Sequence, residues 1–217
     1  MTNTQAFLEA VTKGDQDSVE QMLSDDPTLV HARNANGVSA VLLAVYYGLP
    51  HIAHLLIARG VQPDIFEASA TGMSGRIKEL LETDPALANA YAPDGFQGLG
   101  LASFFGHLDA VQLLLDHGAE VNSVSHNGQQ VMPLHSAVAG GHLEIARLLL
   151  AHGSDANAVQ SDEFTPLHGA ADNGQVEMVK LLLAYGADPR AKMRSGLTAY
   201  DLAVAKGHAE AAALLRL

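Results

Sequence analysis

Eleven histidines in 217 residues are the first chemical feature of this chain, because neutral imidazole is the commonest protein ligand for zinc and related ions. Their spacing does not make a ligand set. His107, His142 and His208 each follow a glycine, and His117 and His152 each precede one, a regularity that assigns them to a repeated local structure. His51 and His54 stand three apart, as two ligands on one helix face would, but no third ligand is placed near them, and His31 and His126 stand alone. A Ser/His/Asp triad could be drawn from the many such residues, yet nothing has the form of a nucleophile elbow. Gly98-Leu99-Gly100 begins like a phosphate-binding loop, but Ser103 stands where the third glycine belongs. The absence of Cys removes thiol nucleophiles, disulfide frameworks and thiolate metal sites together. Without a convergent set of reactive groups, the chain is expected to be no enzyme and to carry no metal and no cofactor.

Charge narrows the partners. Asp and Glu number 24 against 12 Lys and Arg, and the cations are scattered from Lys13 to Arg216. A net charge of −12 without a basic face repels both nucleic acid and anionic membrane surfaces. No run of about eighteen apolar residues exists, and the opening MTNTQAFLEA lacks the basic stretch and apolar core of a secretory signal, so a cytoplasmic monomer is expected. Hydrophobic residues at 48% suffice for a sizeable core. Aromatics make up only 5%, with no Trp, so a local cluster of them is informative.

The elements that carry these residues follow from a repeat. Gly14, Gly48, Gly72, Gly106, Gly141, Gly174 and Gly207 are spaced by 34, 24, 34, 35, 33 and 33 residues. An apolar, Ala-rich stretch of about two turns precedes each glycine, and a second stretch follows it, ending in paired leucines after every glycine but the first. Each unit therefore reads as helix, glycine-closed turn, helix. Sliding residues 7–64 onto 65–122 superposes fifteen identical residues without a gap, against roughly four from composition alone, so a two-repeat unit was duplicated. The spacing of 24 leaves the third repeat without room for a β-hairpin.

Thr165-Pro166-Leu167-His168-Gly169-Ala170-Ala171 matches the TPLHxA signature, as does Pro133-Leu134-His135-Ser136-Ala137 with Met132 in the Thr place. On these motifs the chain resembles the ankyrin-repeat family over essentially its whole length. The resemblance implies an all-α solenoid of about seven stacked helix pairs, with short β-hairpin loops and a truncated third repeat. The pairs are expected at about 4–28, 39–59, 64–86, 97–117, 133–152, 166–185 and 199–216. The boundaries are an N-terminal capping repeat 1–33, repeats 34–63, 64–91, 92–124, 125–158 and 159–191, and a C-terminal capping repeat 192–217, in a single domain 1–217. It also makes His135 and His168 structural.

The same resemblance locates a binding surface. In ankyrin repeats the two residues before the turn glycine typically face the concave groove, and here these include Tyr46-Tyr47, Phe104-Phe105 and Asp172-Asn173. Tyr91 and Phe96, on the hairpin beside the fourth repeat, add to the aromatic cluster. The missing third hairpin is expected to leave a gap in the row of fingers that uncovers the helix ends on either side, with the small Ala70 and Thr71 as a shallow floor between them. Large aromatics serve as interface anchors because they bury much area at low entropic cost. The expected function is a protein-protein interaction module that binds a partner protein or peptide in the groove, centred on repeats two to four. The alternative is a small-ligand or metal-dependent binding protein with a pocket at the missing third hairpin.

Overall fold

The computed structural model describes residues 2–216. Among these, fourteen α-helices form seven pairs, each joined by a tight turn. The pairs are α1 (Asn3–Lys13) with α2 (Gln16–Asp25), α3 (Ala40–Tyr46) with α4 (Pro50–Ala58), and α5 (Ile65–Thr71) with α6 (Ser74–Thr83). They continue with α7 (Gly98–Phe105) and α8 (Leu108–Asp116), α9 (Pro133–Gly140) and α10 (Leu143–Ala151), α11 (Pro166–Asp172) and α12 (Val176–Ala184), and α13 (Ala199–Lys206) and α14 (Ala209–Leu215). Odd-numbered helices pack on one another along the inner row from α1 to α13, and the even-numbered outer helices pack in sequence from α6 to α14. Extended pairing among the described residues is limited to four isolated bridges at the bases of the projecting fingers, such as Tyr91 with Gln97 and Lys192 with Thr198. The expected all-α solenoid is what the chain builds.

Local chemistry sets each pair. In the sixth, Thr165 caps α11 through its hydroxyl, Pro166 supplies a helical φ at the first position, and Leu167 is 1% exposed. The turn glycines sit in left-handed backbone, Gly106 at φ 84°, which closes the inner helix at low steric cost. No Cβ would fit there, since it would lie 2.5 Å from the His142 ring of the next repeat. The histidine regularity read from the sequence is this contact repeated. His107 Nε2 donates to the Ala70 carbonyl at 3.0 Å, His142 Nε2 to Phe104 at 2.9 Å and His208 Nε2 to Asp172 at 3.1 Å, each capping the end of the preceding inner helix. On the outer side an asparagine ladder does the same work. Asn89, Asn122 and Asn157 each donate to the carbonyl of the next repeat's loop glycine and accept from a backbone N–H two residues further on.

The duplication is visible in the backbone. Helices α2 and α6, the 3-10 turns Pro27–His31 and Pro85–Asn89, and helices α4 and α8 are all offset by the same 58 residues. Asp26 and Asp84, which cap those turns, have φ of −142° and −141°. Repeat three thus corresponds to the N-terminal repeat, and only residues 59–64 connect α4 to α5, without a hairpin.

That connection was expected to leave a gap in the row of fingers and to uncover the helix ends beside it. The structure corrects this. The fingers of repeats two and four close up, so that a Cβ on Gly37 would lie 3.0 Å from Pro93. The Tyr46 hydroxyl donates to Asp94 at 2.7 Å across the shortened repeat. A polar cluster fills the space beneath, with Arg33 3.8 Å from Asp64 and the buried Glu67 carboxylate accepting from the Asp64 backbone N–H at 3.0 Å. Burial pushes the Glu67 carboxyl pKa up.

Candidate functional site

On the concave side a recess of about 510 Å³ opens between the inner helices and finger bases of repeats four to six. Its walls are aromatic. Phe104 and Phe105 from the end of α7 meet edge to face with centroids 5.0 Å apart, and Tyr46 from α3 stacks on Phe105 at 6.1 Å. Phe96 and Phe164 close the wall from the finger bases. The floor is small. Where the first half of the chain carries Leu43 and Tyr46, α9 and α11 carry Ser136, Gly169 and Ala139.

Gly140 explains how close the floor comes to the wall. A Cβ there would lie 2.4 Å from the Phe104 carbonyl and 2.5 Å from the His142 ring, so only glycine lets α9 approach α7 this far. Polar groups at the mouth are mostly uncharged, with Gln129, Gln160 and Asn173 around a single carboxylate, Asp172, which lies 3.6 Å from Lys206.

Six of the eight residues singled out in the sequence, Tyr46, Phe96, Phe104, Phe105, Asp172 and Asn173, line this one recess. The other two do not. Tyr91 stacks on His126 with centroids 3.6 Å apart and donates its hydroxyl to Val124, which commits it to holding finger four against the next loop. Tyr47 is 61% exposed and lies outside the lining. Within the aromatic pairs the partition differs from repeat to repeat, with Tyr46 half-buried and its partner free, but Phe104 at 45% exposure and Phe105 half-buried. Tyr46 is held by its bond to Asp94, and burial together with that carboxylate drives the phenol pKa up.

Two further corrections concern position. The floor is not the Ala70-Thr71 end of the third repeat, since Ala70 is 2% exposed and belongs to the core. The centre of the recess also lies in repeats four to six rather than two to four, away from the missing hairpin. Sequence reasoning missed Phe164 and the small residues Ser136, Ala139 and Gly169. The signal for the small residues was the contrast with larger ones at the equivalent inner-helix positions, Leu43 and Leu101 against Ser136 and Gly169, and Tyr46 and Phe104 against Ala139, a contrast that matters only once the helices are seen side by side.

The signature histidines are committed to local contacts. His135 and His168 are buried in the signature position, and His135 Nε2 donates to the Phe164 carbonyl at 3.3 Å. His168 Nδ1 accepts from the Thr165 N–H at 3.2 Å and meets the Thr165 hydroxyl at 2.8 Å. Met132 offers no hydroxyl in that place, and His135 Nδ1 is left without a partner. Burial lowers the pKa of both rings, His135 to about 4. His51 and His54 are exposed. Among the described residues no three His, Asp or Glu side chains are grouped as metal ligands would be, and no helix is long and apolar enough to cross a membrane.

The sequence matches the family described as Ankyrin repeats (3 copies) over residues 65–160 and again over 134–216. It is also similar to Ankyrin repeat and SAM domain-containing protein 6 of Danio rerio, 36% identical over 61 residues, a stretch that spans 28% of this chain and 8% of that relative. The stack of helix pairs and fingers, the histidine caps and a family match running from residue 65 to 216 together make this chain a member of the ankyrin-repeat family.

Proposed function

We propose that this protein binds a partner protein or peptide in the recess of repeats four to six. Ankyrin repeats are generally protein-interaction modules rather than enzymes. The observation that carries the reading is the convergence of Tyr46, Phe96, Phe104 and Phe105 on one concave surface in a chain with only 5% aromatic residues. Contiguous apolar surface of this kind on a repeat protein marks a contact site, and anchors of this type dominate binding energy.

The burial pattern selects the variant that tests it. Tyr46 and Phe105 also pack against the core, so truncating either perturbs the fold as well as the surface. Phe104 is free of that double duty. With a partner recovered by crosslinking and mass spectrometry, Phe104→Ala is expected to weaken binding at least about tenfold, the loss typical of an aromatic anchor, with an unchanged melting temperature. Tyr47→Ala should leave binding unaltered. Normal binding by folded Phe104→Ala, or equal loss in both variants, would remove the recess from the contact surface.

A further inference from the structure

The recess differs from the rest of the surface in its charge. Its lining holds aromatic rings and neutral amides, and its one carboxylate, Asp172, is already close to Lys206. The finger tip above it is acidic. Asp162 and Glu163 stand between the lining residues Gln160 and Phe164, and although Asp162 is 3.3 Å from Arg194, Glu163 has no ion-pair partner among the described residues. Asp94 adds a carboxylate at the other end, beside Tyr46.

The same finger tips carry backbone strain. Gln130, Asp162 and Glu163 hold φ of 57°, 65° and 60°, whereas the other fingers put Gly37, Gly95 and Gly196 in the left-handed region. Side chains in that conformation persist where the surroundings impose it, and they gather at ligand clamps. A glycine would relieve the strain but would remove the acidic side chain from the rim.

From this pairing of a neutral aromatic recess with an acidic, strained rim, we infer that the occupant is an extended peptide. One large apolar residue, aromatic or aliphatic, enters the recess, and a Lys or Arg within about three positions of it meets Glu163. This rests on the reading of the concave face as a protein-binding surface and adds the chemistry of the partner. The apolar residue finds a preformed aromatic site, while the basic neighbour supplies attraction and orientation. A chain of net charge −12 favours such a segment and repels an acidic one before contact.

The test is selection of a randomised peptide display library on the whole protein, followed by affinity measurement on three variants. Ala139→Trp fills the floor from an exposed position, Glu163→Lys inverts the rim charge, and Tyr47→Ala is a control off the recess. The enriched peptides are expected to share one large apolar residue with Lys or Arg close by. They should lose at least about tenfold in affinity for Ala139→Trp, lose less for Glu163→Lys in a salt-dependent way, and bind Tyr47→Ala normally. An acidic consensus, or tight binding to a correctly folded Ala139→Trp, would overturn the inference while leaving concave-face binding intact. Peptides that protect only outer-helix amides from hydrogen exchange would overturn both. No enriched peptide, with an uncharged aromatic dye or a second copy of the chain occupying the recess instead, would overturn the peptide assignment.

Discussion

A methionine in place of a threonine decides how His135 behaves. In repeat six the Thr165 hydroxyl and N–H engage His168 Nδ1, whereas in repeat five Met132 leaves His135 Nδ1 buried and unpaired. An unmet buried polar atom costs stability, and a missing N-cap adds to that cost. Met132→Thr is therefore expected to raise stability by about 1 kcal/mol in urea denaturation. No change would mean that water or a shifted ring satisfies Nδ1. The same ring makes stability depend on pH. Folded His135 takes up a proton only near pH 4, but the unfolded chain does so near 6.5, so between these values the unfolded state binds more protons. Its contribution is complete above pH 6.5 and falls away as pH drops toward 4, by about 3 kcal/mol in all at roughly 1.4 per unit. His168 shifts in the same direction. His135→Gln should flatten the curve of stability against pH between 6.5 and 4, and a variant as acid-sensitive as the parent would contradict the assignment.

At the scale of elements, the positions of the helices were legible because glycine and leucine spacing reflects a requirement that each pair meets by itself. A turn glycine must adopt positive φ, and the leucines of each outer helix must face the neighbouring pair, so Leu114, Leu149 and Leu182 are fully buried. The approach of one pair to the next was not legible, because it depends on residues from two repeats at once. Gly140 reads as an ordinary member of the Ala-Gly-Gly run, yet it sets the separation of α7 and α9 and with it the depth of the recess. The closing of fingers two and four was hidden for the same reason, since Gly37, Pro93, Tyr46 and Asp94 come from repeats that are not adjacent. Gly140→Ala would place a methyl against backbone rather than a yielding side chain. A loss of about 1 to 3 kcal/mol is expected, as for overpacking in a core, together with weaker partner binding as α9 withdraws from Phe104. An unchanged midpoint in urea would show that the two helices can separate at no cost.

In the molecule as a whole, stability is a sum over neighbouring repeats, and one junction differs from the others. The buried apolar residues divide there. One cluster runs from Phe7 to Val61 and takes in only Ala70 and Leu101 from beyond, and the other runs from Ile65 to Leu215. The junction also lacks the asparagine bridge, because Asp64 occupies the place equivalent to Asn122 and its carboxylate caps α5 instead. It is held instead by the polar cluster around Asp64 and Glu67 and by the Tyr46 to Asp94 bond. A solenoid with one weak junction opens there first, as separate cooperative units. Repeats one and two should therefore exchange their amide hydrogens as a block, faster than helices α7 to α12, and Asp94→Asn should widen the difference by weakening the bridge across the shortened repeat. The fragment 62–217 should remain helical, at a lower melting temperature, because it keeps the larger apolar cluster whole. A single exchange rate along the chain, or a fragment without cooperative unfolding, would show that the two clusters act as one. Tyr46, which packs on the smaller cluster, reaches the recess from across this junction, whereas the lining residue Val138 belongs to the larger cluster. A ligand that touches both sides ties them together, so bound peptide should slow exchange in α3 more than in α13, which lies beyond the recess.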